Sequence, residues 1–225
     1  MKSRIFKNME WMILISALLL SIVGFVALYS ATQSSGFDEL KKQVMWFGVS
    51  IVIMLVIMLV DYDVWAKLSP VFYGISIILL IAVLFTKARN GASSWFKIGA
   101  FTLQPGELAK VAVILFTSST IVKVQERGKF EINVFWKLCV TLLTVIFPVF
   151  LIILQPDYGT AAAYLVALIL MLYVSGIDKK YIIVASILLV VALPLAYFFV
   201  LPNHAKTRID IFLNPESDPK GAGYN

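Results

Sequence analysis

Charge is scarce in this chain. Of its 225 residues only 14% are Asp, Glu, Lys or Arg, against 60% that are hydrophobic. A soluble domain of that length would lack the polar side chains to cover its surface, so composition alone points to a membrane protein. A single cysteine, Cys139, excludes an intrachain disulfide, and its place inside an apolar stretch reads as packing. His204 is the only histidine, with no cysteine or second histidine near it in sequence, which argues against a zinc site. A Walker-type glycine loop, a His-Glu-x-x-His helix and a Gly-x-Ser-x-Gly elbow are all missing. Any chemistry here therefore fits a substrate that arrives already activated. The net charge of +6 comes without a basic run set in a soluble fold, so the expected anionic partner is a lipid or phosphate and not nucleic acid.

What is present is a series of seven apolar stretches, approximately 11–31, 44–60, 68–85, 108–123, 134–154, 158–175 and 181–201. Each is close to the roughly 20 residues a helix needs to cross the hydrocarbon core. Continuous runs without period-two alternation exclude a barrel, leaving helices as the way to satisfy the backbone in lipid. The expected architecture is all-α, a polytopic integral membrane protein with about seven transmembrane helices in a single membrane domain, 1–225. Lys2, Arg4 and Lys7 precede the first run, which is too long for a signal-peptide core and reads as an uncleaved first span. A cytoplasmic N-terminus puts ten cationic side chains inside and eight outside, a thin margin in the direction the positive-inside rule requires. The outer segments then include the link between the first two runs, with Lys41 and Lys42, together with 86–107, which carries Trp95, and 202–225, which carries Asp218. Their cations suit an anionic headgroup such as a lipid diphosphate, although ordinary solvated loop charges would look the same.

Glu107 and Lys110 lie one helical turn apart, just before the apolar run Val111–Phe116. Ionisable groups at membrane depth cost a few kcal/mol and usually face a protein interior or a watery cavity. The pair is either functional or a self-neutralising device that eases insertion. Gln104-Pro105-Gly106-Glu107 and Gln155-Pro156-Asp157-Tyr158 open two segments alike, with proline expected at the first helical position and an acid in the first turn. Pro148 and Pro194 fall inside spans, where they are expected to kink them. Trp46, Trp65, Trp95 and Trp136 sit near span ends, as belt residues do. In the last segment Arg208 suits bidentate contact with phosphate, or serves as an interfacial anchor. Asp218, between Ser217 and Pro219 with Gly221 and Gly223 beyond, is biased towards an extended backbone. It is either a solvated turn aspartate or a general base.

Three blocks together resemble the SEDS family (shape, elongation, division and sporulation), to which RodA, FtsW and SpoVE belong. They are Gly91-Ala92-x-x-Trp95 continuing to Gln104-Pro105-x-Glu107-x-x-Lys110, then Gln155-Pro156-Asp157-x-Gly159-Thr160, and finally Arg208-x-x-x-Phe212-Leu213-x-Pro215-x-x-Asp218-Pro219-x-Gly221-x-Gly223-Tyr224. The wording of the final block is more similar to RodA than to FtsW. The resemblance implies a bacterial peptidoglycan glycosyltransferase of the cytoplasmic membrane that polymerises lipid II on the outer face beside a class B penicillin-binding protein. It implies Asp218 as the base for the acceptor hydroxyl and Glu107 and Lys110 as the polar pair of a central cavity. Trp95 matches the loop tryptophan, and Arg208 and Asp157 complete the substrate-facing set. No metal or other cofactor is implied, a divalent cation being left open. Ser94 and Gly106 depart from the Arg and Ser common in the family. The family also has about ten spanning helices, so this chain is expected to be the N-terminal part of such a fold. Two other readings stay open: a lipid II flippase, and a shortened scaffold that binds a penicillin-binding protein.

Overall fold

Long apolar runs have one low-energy outcome in lipid, a helix that closes every backbone hydrogen bond within itself, and helices dominate the architecture. The computed structural model describes residues 10–33, 36–86, 94–98, 101–200 and 206–207. Its elements are α1 (Trp11–Thr32), α2 (Asp38–Met58), α3 (Tyr62–Leu84), β1 (Phe96–Ile98), β2 (Phe101–Leu103), α4 (Pro105–Val124), α5 (Phe135–Ile153), α6 (Tyr158–Ser175) and α7 (Lys179–Leu195). Two short 3-10 turns, Gln125–Arg127 and Lys129–Asn133, join α4 to α5. The seven helices occupy the seven apolar stretches. By length and composition five of them, α1, α2, α3, α5 and α6, suffice to cross a membrane. Helix α4 carries Glu107, Lys110 and Lys123, and α7 has 17 residues.

Two helices begin about one and a half turns before the apolar run that marks them. Helix α2 starts at Asp38, with Asp38 and Glu39 in its first turn paired to Lys41 and Lys42. Helix α3 starts at Tyr62, with Asp63 in its first turn. Acids favour the positive end of a helix dipole, so polar first turns extend both helices beyond the hydrophobic segment.

The chain divides into two compact units, Met1–Leu68 and Ser69–Asn225. In the first, α1 and α2 meet through Phe25 edge-on to Phe47 at 5.3 Å, and Tyr29 stacks on Phe37 at 5.4 Å. In the second, α4, α5 and α6 pack around a core that includes Leu80, Val113, Val145, Ile152 and Tyr164. Small residues, Ala109 and Ala112 on α4 and Ala161 on α6, are buried where helices approach, the usual way in which membrane helices come close. The Thr117 and Thr144 hydroxyls lie 2.7 Å apart across α4 and α5. Buried Gln155 donates its amide to the Leu80 carbonyl at 3.1 Å, tying the end of α5 to α3.

Pro148 lies inside α5 and Pro194 inside α7, as expected, and Pro70 lies inside α3 as well. Directly after Pro194 the chain makes a π turn over Ala196–Val200, a widened turn that re-satisfies groups freed by a missing proline N–H.

The departure from an all-helical chain among the described residues is the antiparallel hairpin β1–β2. Phe96 pairs with Leu103, Lys97 with Thr102 and Ile98 with Phe101. Its sequence signal was the period-two alternation Phe-Lys-Ile and Phe-Thr-Leu on either side of Gly99. Three residues a side is too short to stand out beside spans of twenty.

Candidate active site at the paired starts of α4 and α6

The hairpin delivers the chain to the start of α4, where the expected local structure is observed. Gln104 occupies the N-cap position in an extended backbone, Pro105 is the first helical residue, and Glu107 lies in the first turn. Proline suits that position because its missing N–H would have had no helical partner there. Lys110 Nζ contacts both carboxylate oxygens of Glu107, at 3.0 and 2.9 Å. The lysine side chain is 27% exposed and the glutamate 55%, so the pair is closed on itself yet open on one side.

The start of α6 departs from the expectation. Pro156 precedes the helix, and Asp157 is its N-cap where a first-turn acid was expected. The Asp157 carboxylate accepts from the Thr160 backbone N–H at 3.2 Å, a local bond that competes successfully with extending the helix backwards. Its second oxygen accepts from the Gln104 side-chain amide at 2.6 Å, and the same amide nitrogen lies 3.4 Å from the Thr160 hydroxyl. One turn further into α6, the buried Tyr164 hydroxyl donates to the Gly106 carbonyl at 2.7 Å. Two helix starts, about fifty residues apart in sequence, are thus bonded to each other.

Trp95 heads the hairpin and is 40% exposed, while its neighbour Ser94 is buried, with 2% of its surface exposed. Glu107, Lys110 and Asp157 are therefore gathered around the same pair of helix starts, with Trp95 leading into the hairpin before them. Arg208, Asp218 and His204 lie outside the described residues. Among the described residues no three His, Cys, Asp or Glu side chains converge as metal ligands would.

Sequence reasoning named Gln104 and Thr160 only as members of the family blocks, without a role, and overlooked Tyr164. A signal for two of them was present: Asp157, Thr160 and Tyr164 are spaced three and four apart, which places them on one helix face. The partner across the gap, Gln104, carries no such spacing, because its bond is made between helices.

The chain matches, over residues 10–225, the family of cell cycle proteins named for FtsW, RodA and SpoVE. It is 33% identical over 226 residues to the probable peptidoglycan glycosyltransferase FtsW of Geobacter metallireducens, covering 96% of this chain and 59% of that protein. It is 32% identical over 230 residues to stage V sporulation protein E of Bacillus subtilis, covering 96% of this chain and 60% of that one. A solved chain described in terms of polymerization and crosslinking by a peptidoglycan synthase complex superposes with a TM-score of 0.76 at 27% identity, over 95% of this chain and 62% of that chain. The chain thus spans about three fifths of the length of the curated relatives it matches.

Proposed function

The chain belongs to the FtsW, RodA and SpoVE family, and from that premise we propose that the protein of which it forms all or part is a peptidoglycan glycosyltransferase acting on lipid II. Support comes from the glycosyltransferase name of its FtsW relative and from its likeness to a chain of a peptidoglycan synthase complex. The observation that carries the reading is the Glu107–Lys110 pair, half-open at the start of α4 and braced by α6.

The chemistry has two demands. A sugar hydroxyl must lose its proton as its oxygen bonds to the donor anomeric carbon, and the carbon–oxygen bond to the lipid diphosphate must break with its electron pair leaving on that diphosphate. Asp218 is assigned the first demand, accepting the proton from the GlcNAc 4-hydroxyl while the MurNAc anomeric carbon inverts. Lys110 and Arg208 serve the second by offsetting charge on undecaprenyl diphosphate, the electrostatic stabilisation a leaving group requires. Lys110 can exchange a Glu107 oxygen for a diphosphate oxygen because the pair is not buried. Trp95 presents an apolar ring near the outer interface for the lipid-borne sugar.

The setting is a multi-pass protein of the bacterial cytoplasmic membrane, with the hairpin and the 202–225 segment outside and a class B penicillin-binding protein as its partner. The test uses full-length protein in membranes with purified lipid II. Asp218→Asn is expected to lower glycan strand formation by roughly 10²–10⁴-fold, the usual worth of a general base. Wild-type rates in that variant would remove the assigned role.

A further inference from the structure

Glu107 is held through the residues just before it, by bonds to α6 that it does not itself make. Before it, Gln104 accepts the Glu107 backbone N–H at 3.1 Å and reaches across to Asp157 at 2.6 Å. Gly106, next to it, receives the Tyr164 hydroxyl on its carbonyl at 2.7 Å. The carboxylate of Glu107 is thereby left to Lys110 alone among these groups. The two helices are close at this point: a Cβ on Gly106 would lie 3.2 Å from the Thr160 methyl carbon. Both oxygens of Asp157 are engaged within the protein, one by Thr160 and one by Gln104. A carboxylate so occupied, and negative besides, is poorly suited to meet a diphosphate.

We infer that Gln104, Asp157 and Tyr164 are positioning residues, a clasp between the starts of α4 and α6 that sets where Lys110, held by Glu107, meets the anionic headgroup of the substrate. Asp157 thus acts through Gln104 and Thr160 and does not touch substrate. This rests on the lipid-diphosphate reading of the site. Its physical basis is that a helix start moves as a body: a displacement of Gln104 or Gly106 carries Glu107 and Lys110 with it. Misplacement of a binding group by about 1 Å costs on the order of 10²-fold in rate.

The decisive experiment is a swap in the full-length protein, reconstituted in lipid nanodiscs. Gln104→Glu sets a carboxylate against Asp157 and should weaken lipid II binding by roughly tenfold, within the usual range for coupled neighbours. Adding Asp157→Asn restores an amide facing a carboxylate, with the partners reversed, and should return binding to within about threefold of wild type. Tyr164→Phe, which keeps the ring and loses only the hydroxyl, should raise KM for lipid II and lower kcat, while its melting temperature stays close to wild type. A double variant no better than Gln104→Glu alone would overturn the clasp, since a substrate-touching Asp157 would not tolerate its charge being moved to position 104. Losses that track melting temperature, with KM unchanged, would also overturn it.

Binding and polymerisation are read separately for this reason. Rescue of binding, with no polymer from wild type, upholds the clasp and removes the polymerase. Polymer from wild type without rescue in the swap removes the clasp and leaves the polymerase standing. Wild-type protein that does not bind lipid II removes both.

Discussion

Gly106 has no side chain where α4 lies close against Thr160 of α6, and that absence has a measurable consequence. An added Cβ would sit 3.2 Å from Thr160 Cγ2, and Thr160 is buried with its hydroxyl beside the Gln104 amide, so the methyl has little freedom to turn away. Gly106→Ala gains up to about 1 kcal/mol in helix propensity and loses about 1–3 kcal/mol to overpacking. The expected result is a net loss of about 1 kcal/mol. Thr160→Ser removes the offending methyl, and in that background the same substitution should cost little or nothing. Thermal unfolding of the four proteins in a double-mutant cycle checks this; equal costs in both backgrounds would show that the contact is not the cause. At the same scale Asp157, expected in the first turn of α6, is instead the N-cap of that helix, with its carboxylate shared with Gln104.

At the scale of elements, the end of the bundle opposite the hairpin is held by side chains reaching between connections. Gln125 donates to the carbonyls of Lys129 and Ser175, at 2.6 and 2.7 Å. Asn133 accepts the Asp178 N–H at 2.8 Å, and its carbonyl receives the Tyr181 hydroxyl at 3.1 Å. Gly176 closes α6 in the left-handed region at φ +83°, where an added Cβ would lie 2.9 Å from the Lys129 side chain. Glu131, in the second 3-10 turn, pairs with Lys137 in the first turn of α5. Its hydrogen bond to Lys137, then the lysine's charge, hold the Glu131 carboxyl below its ordinary value. A lowered carboxylate contributes stability above its unfolded value, and that contribution is lost as pH falls through the lowered folded value. Wild type should therefore melt above Glu131→Gln at neutral pH, and the two should converge in acid. A gap that persists or widens at low pH would contradict the pairing. The pair is partly solvated, so the gap should be small and should shrink in salt. These elements were legible unevenly. Apolar runs located the seven helices among the described residues because lipid imposes length and hydrophobicity together. The starts of α2 and α3 were missed because a helix continues into polar residues that no hydrophobic criterion counts.

At the scale of the molecule, the order of elements gives sidedness a sharp test. The hairpin and the α5–α6 connection stand at one end of the second unit, and the α4–α5 and α6–α7 connections at the other. With the N-terminus inside, the hairpin end faces outward. In a Cys139→Ser background, Lys97→Cys in whole cells should react with an impermeant maleimide, and Phe130→Cys should react only after the membrane is opened. Both native side chains are exposed, so access and not burial decides the outcome. The reverse pattern would place residues 202–225 on the cytoplasmic side and remove Asp218 from any role on an outer-face glycan.

Composition determined that this chain belongs in a membrane, and its unbroken apolar runs determined that it spans as helices, because lipid leaves the backbone no partner outside a helix or a closed barrel. The blocks around Trp95, Glu107, Asp157 and Asp218 determined its family, because their order and spacing are kept along one chain. The pairing of Glu107 with Lys110 was also readable there, being a contact within one helical turn. Only the tertiary structure decided that Gln104 meets Asp157 and that Tyr164 meets Gly106. Those bonds join residues more than fifty positions apart, and no local periodicity encodes which helix start will lie against which.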